Sequence, residues 1–246
     1  MKPAVGAQIL FGASAVLFGV ITLMWRDPDT WQGSPILHLG TIAGGVIAVA
    51  QIAGGIGFQY PRTARAAAIV LGVVYALFVL ACIPGIVAAP KTYGSYVNFF
   101  EWLSVVSGAV AAYGFTNAGR LVLGVCAISF ALAQVAYFRF TESLVPTWIP
   151  PSPQFWTVLT TIAFGLAAIA ILIDRFAVLA MRWMTLMLAL FGVLIWIPAV
   201  FTHPGVHGNW SELALNFLIA GASWLVAGAV EQRNRERARS SLLVSV

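Results

Sequence analysis

Eight apolar stretches, at 5–25, 36–58, 65–88, 98–116, 120–138, 155–173, 176–200 and 211–230, take up most of this 246-residue chain. Each holds about the 20 residues that a helix needs to cross the hydrocarbon of a bilayer. Between them lie short breaks of Pro, Gly, Asp, Arg or Trp. Inside lipid every backbone N–H and C=O must find a partner within the protein, so such stretches predict helices rather than open strands. The short alternating segments of a transmembrane barrel are absent. Apolar residues make up 61% of the chain and charged residues 9%, where a soluble domain carries about 25% charge. The expected fold class is therefore all-α, a polytopic membrane protein of eight transmembrane helices.

The placement of charge orients the helices. With the N-terminus in the cytoplasm, Lys2, Arg62, Arg65, Arg120, Arg175, Arg182 and the tail residues Arg233, Arg235, Arg237 and Arg239 fall on the cytoplasmic side. Only Arg26, Lys91 and Arg139 fall outside. That asymmetry follows the positive-inside rule and places both termini in the cytoplasm of a bacterial inner-membrane protein. The net charge of +5 punctuates apolar runs and forms no face for nucleic acid. Lys2 followed by an apolar run has the opening of a signal peptide. The run reaches Trp25, too far for a removed segment, and reads as a first membrane helix.

The chain also repeats itself. In Arg65–Gly114 an apolar helix with a proline near its outer end leads through a loop to Asn98-Phe-Phe-Glu101 and another apolar helix. Arg182–Gly228 does the same with Pro198 and Asn209-Trp-Ser-Glu212. Gly12 with Phe18-Gly19 is matched by Gly124 with Phe130-Ala131. An internal period of this kind sets an architecture. It predicts two parallel four-helix bundle repeats, at 1–118 and 119–230, followed by a basic cytoplasmic tail at 231–246. Helix two is rich in small residues, Gly40 and Gly44 among them, which permit close helix packing or a dimerising face. Cys82 and Cys126 fall at opposite depths, out of disulfide reach.

Chemistry concentrates at the outer end. Candidate ligand-binding residues there are Glu101, Glu212, His203, His207, His38, Arg26, Trp102, Trp210, Asn98 and Asn209. Each Asn-x-x-Glu pair has two readings. One is a capping box at a helix start. The other is a pair of acids facing a shared pocket, because ionisable groups at membrane depth generally face protein or water. His203 and His207 are four apart, but Pro204 and Gly205 between them make a loop, so no metal site is expected. The tryptophans fit an interfacial belt or the wall of a pocket for a flat ligand such as a quinone. Walker, Gly-x-Ser-x-Gly and His-Glu-x-x-His motifs are absent, so no catalytic residue is named. Polar residues within the helices are few: Gln51, Gln134, Thr160, Thr161 and Asn216.

The stretches Gly40-Thr-Ile-Ala-Gly-Gly through Pro61-Arg-Thr-Ala-Arg65, Pro146-Thr-Trp-Ile-Pro150 through Gly165, and His203-Pro-Gly-Val-His207-Gly-Asn-Trp-Ser-Glu212 resemble the DoxX-like membrane family. The chain would be a tandem, eight-helix member. The resemblance implies a polytopic protein often linked with redox enzymes, with members that include a quinone-linked subunit; the cofactor stays unassigned, with quinone the candidate. Its expected partners are the lipid bilayer, a redox enzyme or a second copy of itself. The alternatives are a small-solute transporter and a membrane scaffold without a ligand.

Overall fold

The computed structural model describes residues 5–26 and 40–244. The chain forms α1 (Val5–Trp25), α2 (Gly40–Phe58), α3 (Ala64–Ala88), α4 (Gly94–Tyr113), α5 (Thr116–Ala136), the short α6 (Phe138–Leu144), α7 (Pro153–Leu172) and α8 (Ala177–Phe191). A π-helical segment, Gly192–Trp196, then runs into α9 (Ile197–Thr202), and α10 (His207–Val244) ends the chain. No strand occurs among the described residues.

Six helical spans among the described residues are long and apolar enough to cross a membrane: α1, α3, α5, α7, the continuous α8–α9 rod and α10. α2 is apolar but shorter over Ile42–Phe58, and α4 carries Asn98 and Glu101. The outer faces support the same conclusion. On α3, Ala68, Leu71, Tyr75 and Phe78 are buried, while Ile69, Val73, Leu77 and Leu80 are each at least 50% exposed on the opposite side. In water an apolar stripe of that length would be a liability; against lipid it is ordinary. The chain is a multi-pass membrane protein.

Neighbours in sequence are mostly neighbours in space: α1 packs on α2, α2 on α3, α3 on α4, α4 on α5, α5 on α7, α7 on α8 and α8 on α10. α10 then closes on α1 and crosses α4, which makes it the most buried span. Small residues set the close approaches. A Cβ on Gly12 would stand 2.6 Å from the Gly55 carbonyl, and one on Gly108 would stand 2.7 Å from the Ala222 Cβ. The interior of α1–α4 is filled by aromatic rings. Trp102, 1% exposed, stacks on Phe78 at 4.7 Å between centroids and on Tyr75 at 5.7 Å, and Phe18 meets its edge at 5.2 Å.

Two ends can be distinguished. At the aromatic end, Trp25 stacks on His207 at 5.0 Å and lies 6.1 Å from Trp210. Three aromatic side chains there each donate to the carbonyl of a proline six residues back: Tyr96 to Pro90, Trp156 to Pro150 and Trp210 to Pro204, each at 2.9 Å. These rings therefore close loops as well as forming a belt. The other end holds the turns α2–α3, α4–α5 and α7–α8, and arginines cluster there. Both described termini project from this arginine end.

Two helix starts differ from the capping-box reading. α4 begins at Gly94, so Asn98 and Glu101 lie inside the helix. The cause is a tertiary contact: Gly94 N–H donates to the Tyr137 hydroxyl at 2.7 Å, and the Tyr93 hydroxyl donates to the Ser129 carbonyl at 3.0 Å. α10 begins at His207, and the Asn209 amide turns back to the Ala199 carbonyl at 3.1 Å instead of capping. Glu212 therefore also sits within a helix. At its other end α10 continues as one helix through the arginine-rich tail to Val244.

Candidate functional site

α7 and α8 bury less of their surface than the other spans, and between them the packing opens. A cavity of about 850 Å³ runs from Tyr137 and Ile149 at the aromatic end to Phe176 at the arginine end. Its walls come from α4 to α8, the π-helical segment and α10. Leu166, Leu179, Trp183 and Leu190 line it and are also exposed on the outside of the bundle, so it opens sideways, toward lipid. The π segment forms part of one wall. Gly192 there is buried against the Phe217 ring, to which a Cβ would stand at 2.6 Å. Pro198, two residues past the segment, cannot donate a hydrogen bond to the carbonyl four residues earlier. A one-turn widening of this kind absorbs such a break and is frequent beside functional sites.

The lining is apolar except at one level. Glu101 of α4, Glu212 and Asn216 of α10, Gln134 of α5 and Thr160 of α7 all border the cavity. By the helical rise they lie about 8–14 Å inside the aromatic-end helix starts, except Gln134, which is near the end of α5. Gln134 Oε1 accepts from the hydroxyls of Thr160 at 3.0 Å and Thr161 at 2.9 Å. Glu101 Oε2 and Asn216 Oδ1 are buried with no hydrogen-bond partner. Such groups are costly away from water, so two beside one cavity mark its polar pole. No Lys, Arg or His is among the described residues that line it.

Of the ten candidate residues, the structure brings Glu101 and Glu212 to this cavity. Trp102 is in the aromatic core of α1–α4, away from it. Trp210 and His207 pack on Trp25 at the aromatic end. His203 is exposed after α9 and Arg26 exposed after α1. Asn209 pins the α9–α10 loop, and Asn98 Oδ1, on α4, is buried with no hydrogen-bond partner. His38 lies outside the described residues. Asn216, Gln134 and Thr160 were legible only as rare polar residues. The spacing of Glu212 and Asn216, four apart on one helix face, is the signal that joins them.

The arginine end holds a second polar cluster. Arg120, 8% exposed, donates to the carbonyls of Ile171 and Leu172, the latter at 2.9 Å, and so caps the end of α7. Its Nε lies 3.6 Å from Asp174. Asp174 adopts a left-handed conformation, φ 59°, in the α7–α8 turn, and Arg175 N–H reaches back to the Ala170 carbonyl. This is the helix-ending geometry that Asp tolerates and most residues do not. Arg233 of α10 bridges Asp174 and Asn117, and Glu231 pairs with Arg182 and Arg235, each at 2.7 Å. The cluster ties the α7–α8 hairpin to α10.

No family model, no curated protein and no solved structure matches this chain.

Proposed function

We propose that this chain is an eight-helix membrane protein of two parallel four-helix repeats whose second repeat, together with α4 of the first, binds an amphiphile in a cavity open to lipid. The cavity carries this reading: its tail-length apolar walls run along the helices, and its polar groups gather at one level near the aromatic end. Apolar lining with a few convergent polar groups is the general form of a small-molecule site.

The repeat reading is supported by the helix neighbours. α1–α2, α2–α3, α3–α4 and α4–α5 correspond in order to α5–α7, α7–α8, α8–α10 and α10–α1. With Gly12 set against Gly124, Gln8 falls on Arg120. Gln8 donates to the Phe58 carbonyl at the end of α2, as Arg120 does to Leu172 at the end of α7. The distribution of Lys and Arg supports an inner-membrane location with the arginine end cytoplasmic, which puts the polar pole in the outer half of the bilayer.

The DoxX-like resemblance supports a redox-associated role with a quinone as the amphiphile, and the walls, which include Trp156, Trp183 and Trp196, accommodate a flat ring. Scarcity of polar groups along the cavity supports holding a ligand over conducting a polar solute. The test is extraction. Protein taken from native membranes into nanodiscs should carry an amphiphile detectable by mass spectrometry. Ala163→Phe, which fills the cavity wall, should lose it, and Glu101→Gln and Glu212→Gln should alter its retention. An empty wild-type protein, or equal loading of the Ala163→Phe variant, would overturn the reading.

A further inference from the structure

We propose that the amphiphile's head group is an organic cation, a primary or substituted ammonium, held at Glu101 and Asn216. The proposal rests on the reading that the cavity holds an amphiphile and adds the chemistry of its head.

The polar pole has acceptors to spare. Glu101 Oε2 and Asn216 Oδ1, the latter on a side chain of a residue 9% exposed, are acceptors that nothing in the described structure answers. Three of the donors nearby are turned elsewhere. The Thr160 hydroxyl is engaged by Gln134, the Thr141 hydroxyl by the Tyr137 carbonyl, and the Trp156 N–H by the Pro150 carbonyl. The ionisable residues that line the cavity are two acids and a tyrosine, and no Lys, Arg or His is among the described residues that line it.

A ligand complements a site by supplying what the site lacks. A carboxylate at membrane depth is expensive without a counter-charge, and charge-assisted hydrogen bonds are the strong ones. An ammonium provides both the charge and the N–H donors. The aromatic walls are compatible with it, because ring faces attract cations. A quinone head offers only carbonyl acceptors and would leave Glu101 and Asn216 no better satisfied unless a carboxyl gave up its proton to the bond. An anionic head would meet like charge.

Wild-type protein in zwitterionic nanodiscs is incubated in parallel with decylammonium, decanol and a decyl-substituted benzoquinone, and bound probe is counted by native mass spectrometry. The expected result is at least tenfold more decylammonium than decanol, with that preference lost in Glu101→Gln. Equal binding of ammonium and alcohol overturns the cationic head but leaves an amphiphile site. Tighter binding of the benzoquinone than of decylammonium also overturns it, in favour of a quinone. Binding of none of the three overturns the amphiphile reading itself. The comparison among probes on wild-type protein stands whether or not the variant folds.

Discussion

One nitrogen of Arg233, Nη2, lies 2.7 Å from both carboxylate oxygens of Asp174. The two residues are 59 positions apart, one in the basic tail and the other in the turn between α7 and α8. The contact turns a segment that reads as a solvated positive flank into a brace across the hairpin that walls the cavity. The side chain of Arg233 is only 13% exposed and that of Arg120, on the other side of Asp174, only 10%. Neither guanidinium is bathed in water as an ordinary tail charge would be.

Removing Asp174 should therefore strand two poorly hydrated cations. Breaking a buried pair by deleting one partner costs about 3–5 kcal/mol; with Asp174 28% exposed, the low end, about 3 kcal/mol, is expected for Asp174→Ala. Thermal unfolding in detergent checks it. A double-mutant cycle with Arg233→Ala should show coupling above about 1 kcal/mol, as contacting residues do. Strict additivity would mean that the pair does not brace the hairpin.

Close approach of α1 to α2 gives a second expectation. Gly12→Leu should lower stability by about 1–3 kcal/mol through overpacking, because the first carbon of the side chain already meets the Gly55 carbonyl at 2.6 Å. Gly45 faces open space, and Gly45→Ala should leave the unfolding midpoint unchanged or raise it. Equal effects at both positions would contradict this packing.

Two tryptophans should behave in opposite ways. Trp102 fills the interior of α1–α4, so Trp102→Ala should cost about 3–5 kcal/mol. Trp156 lines the cavity and clasps Pro150; Trp156→Phe keeps an aromatic ring, though a smaller one, and loses the N–H donor. It should cost about 1 kcal/mol and change probe binding more than stability. A Trp102→Ala variant that folds normally yet loses ligand would restore Trp102 to the site.

Topology is testable without ligands. Both described termini lie at the arginine end, and reporter fusions after Lys2 and after Val246 should report the same compartment. A cysteine placed at Thr147, in the loop at the aromatic end, should react with a membrane-impermeant thiol reagent from the other side. Cys82 and Cys126 are buried and should contribute little background.

Much of the architecture was legible in local composition. The described part of each apolar run is helical, with a π-helical segment inside the run 176–200, the breaks fell at Pro, Gly and charged residues, and Trp25, Trp156 and Trp210 gathered at one end. The start of α4 was less legible, because Gly94 is held by Tyr137, more than forty residues away. The candidate site divided in the same manner. Glu101 and Glu212 could be singled out as rare acids in apolar surroundings. Trp102 could not be assigned between core and pocket, since a tryptophan suits both.

The amino-acid order alone thus determined that the chain belongs in lipid and where its helices break, because hydropathy is a property of neighbouring residues. Only the tertiary structure decided which faces turn inward. In a bilayer the outside of a helix is as apolar as its inside, so the periodicity that separates core from surface in a soluble helix is faint. That is why the rings of Trp102, Tyr75 and Phe78 filling the interior of α1–α4, the cavity walled by α4–α8 and α10, and the reach of Arg233 to Asp174 all waited on the packing of segments distant in the chain.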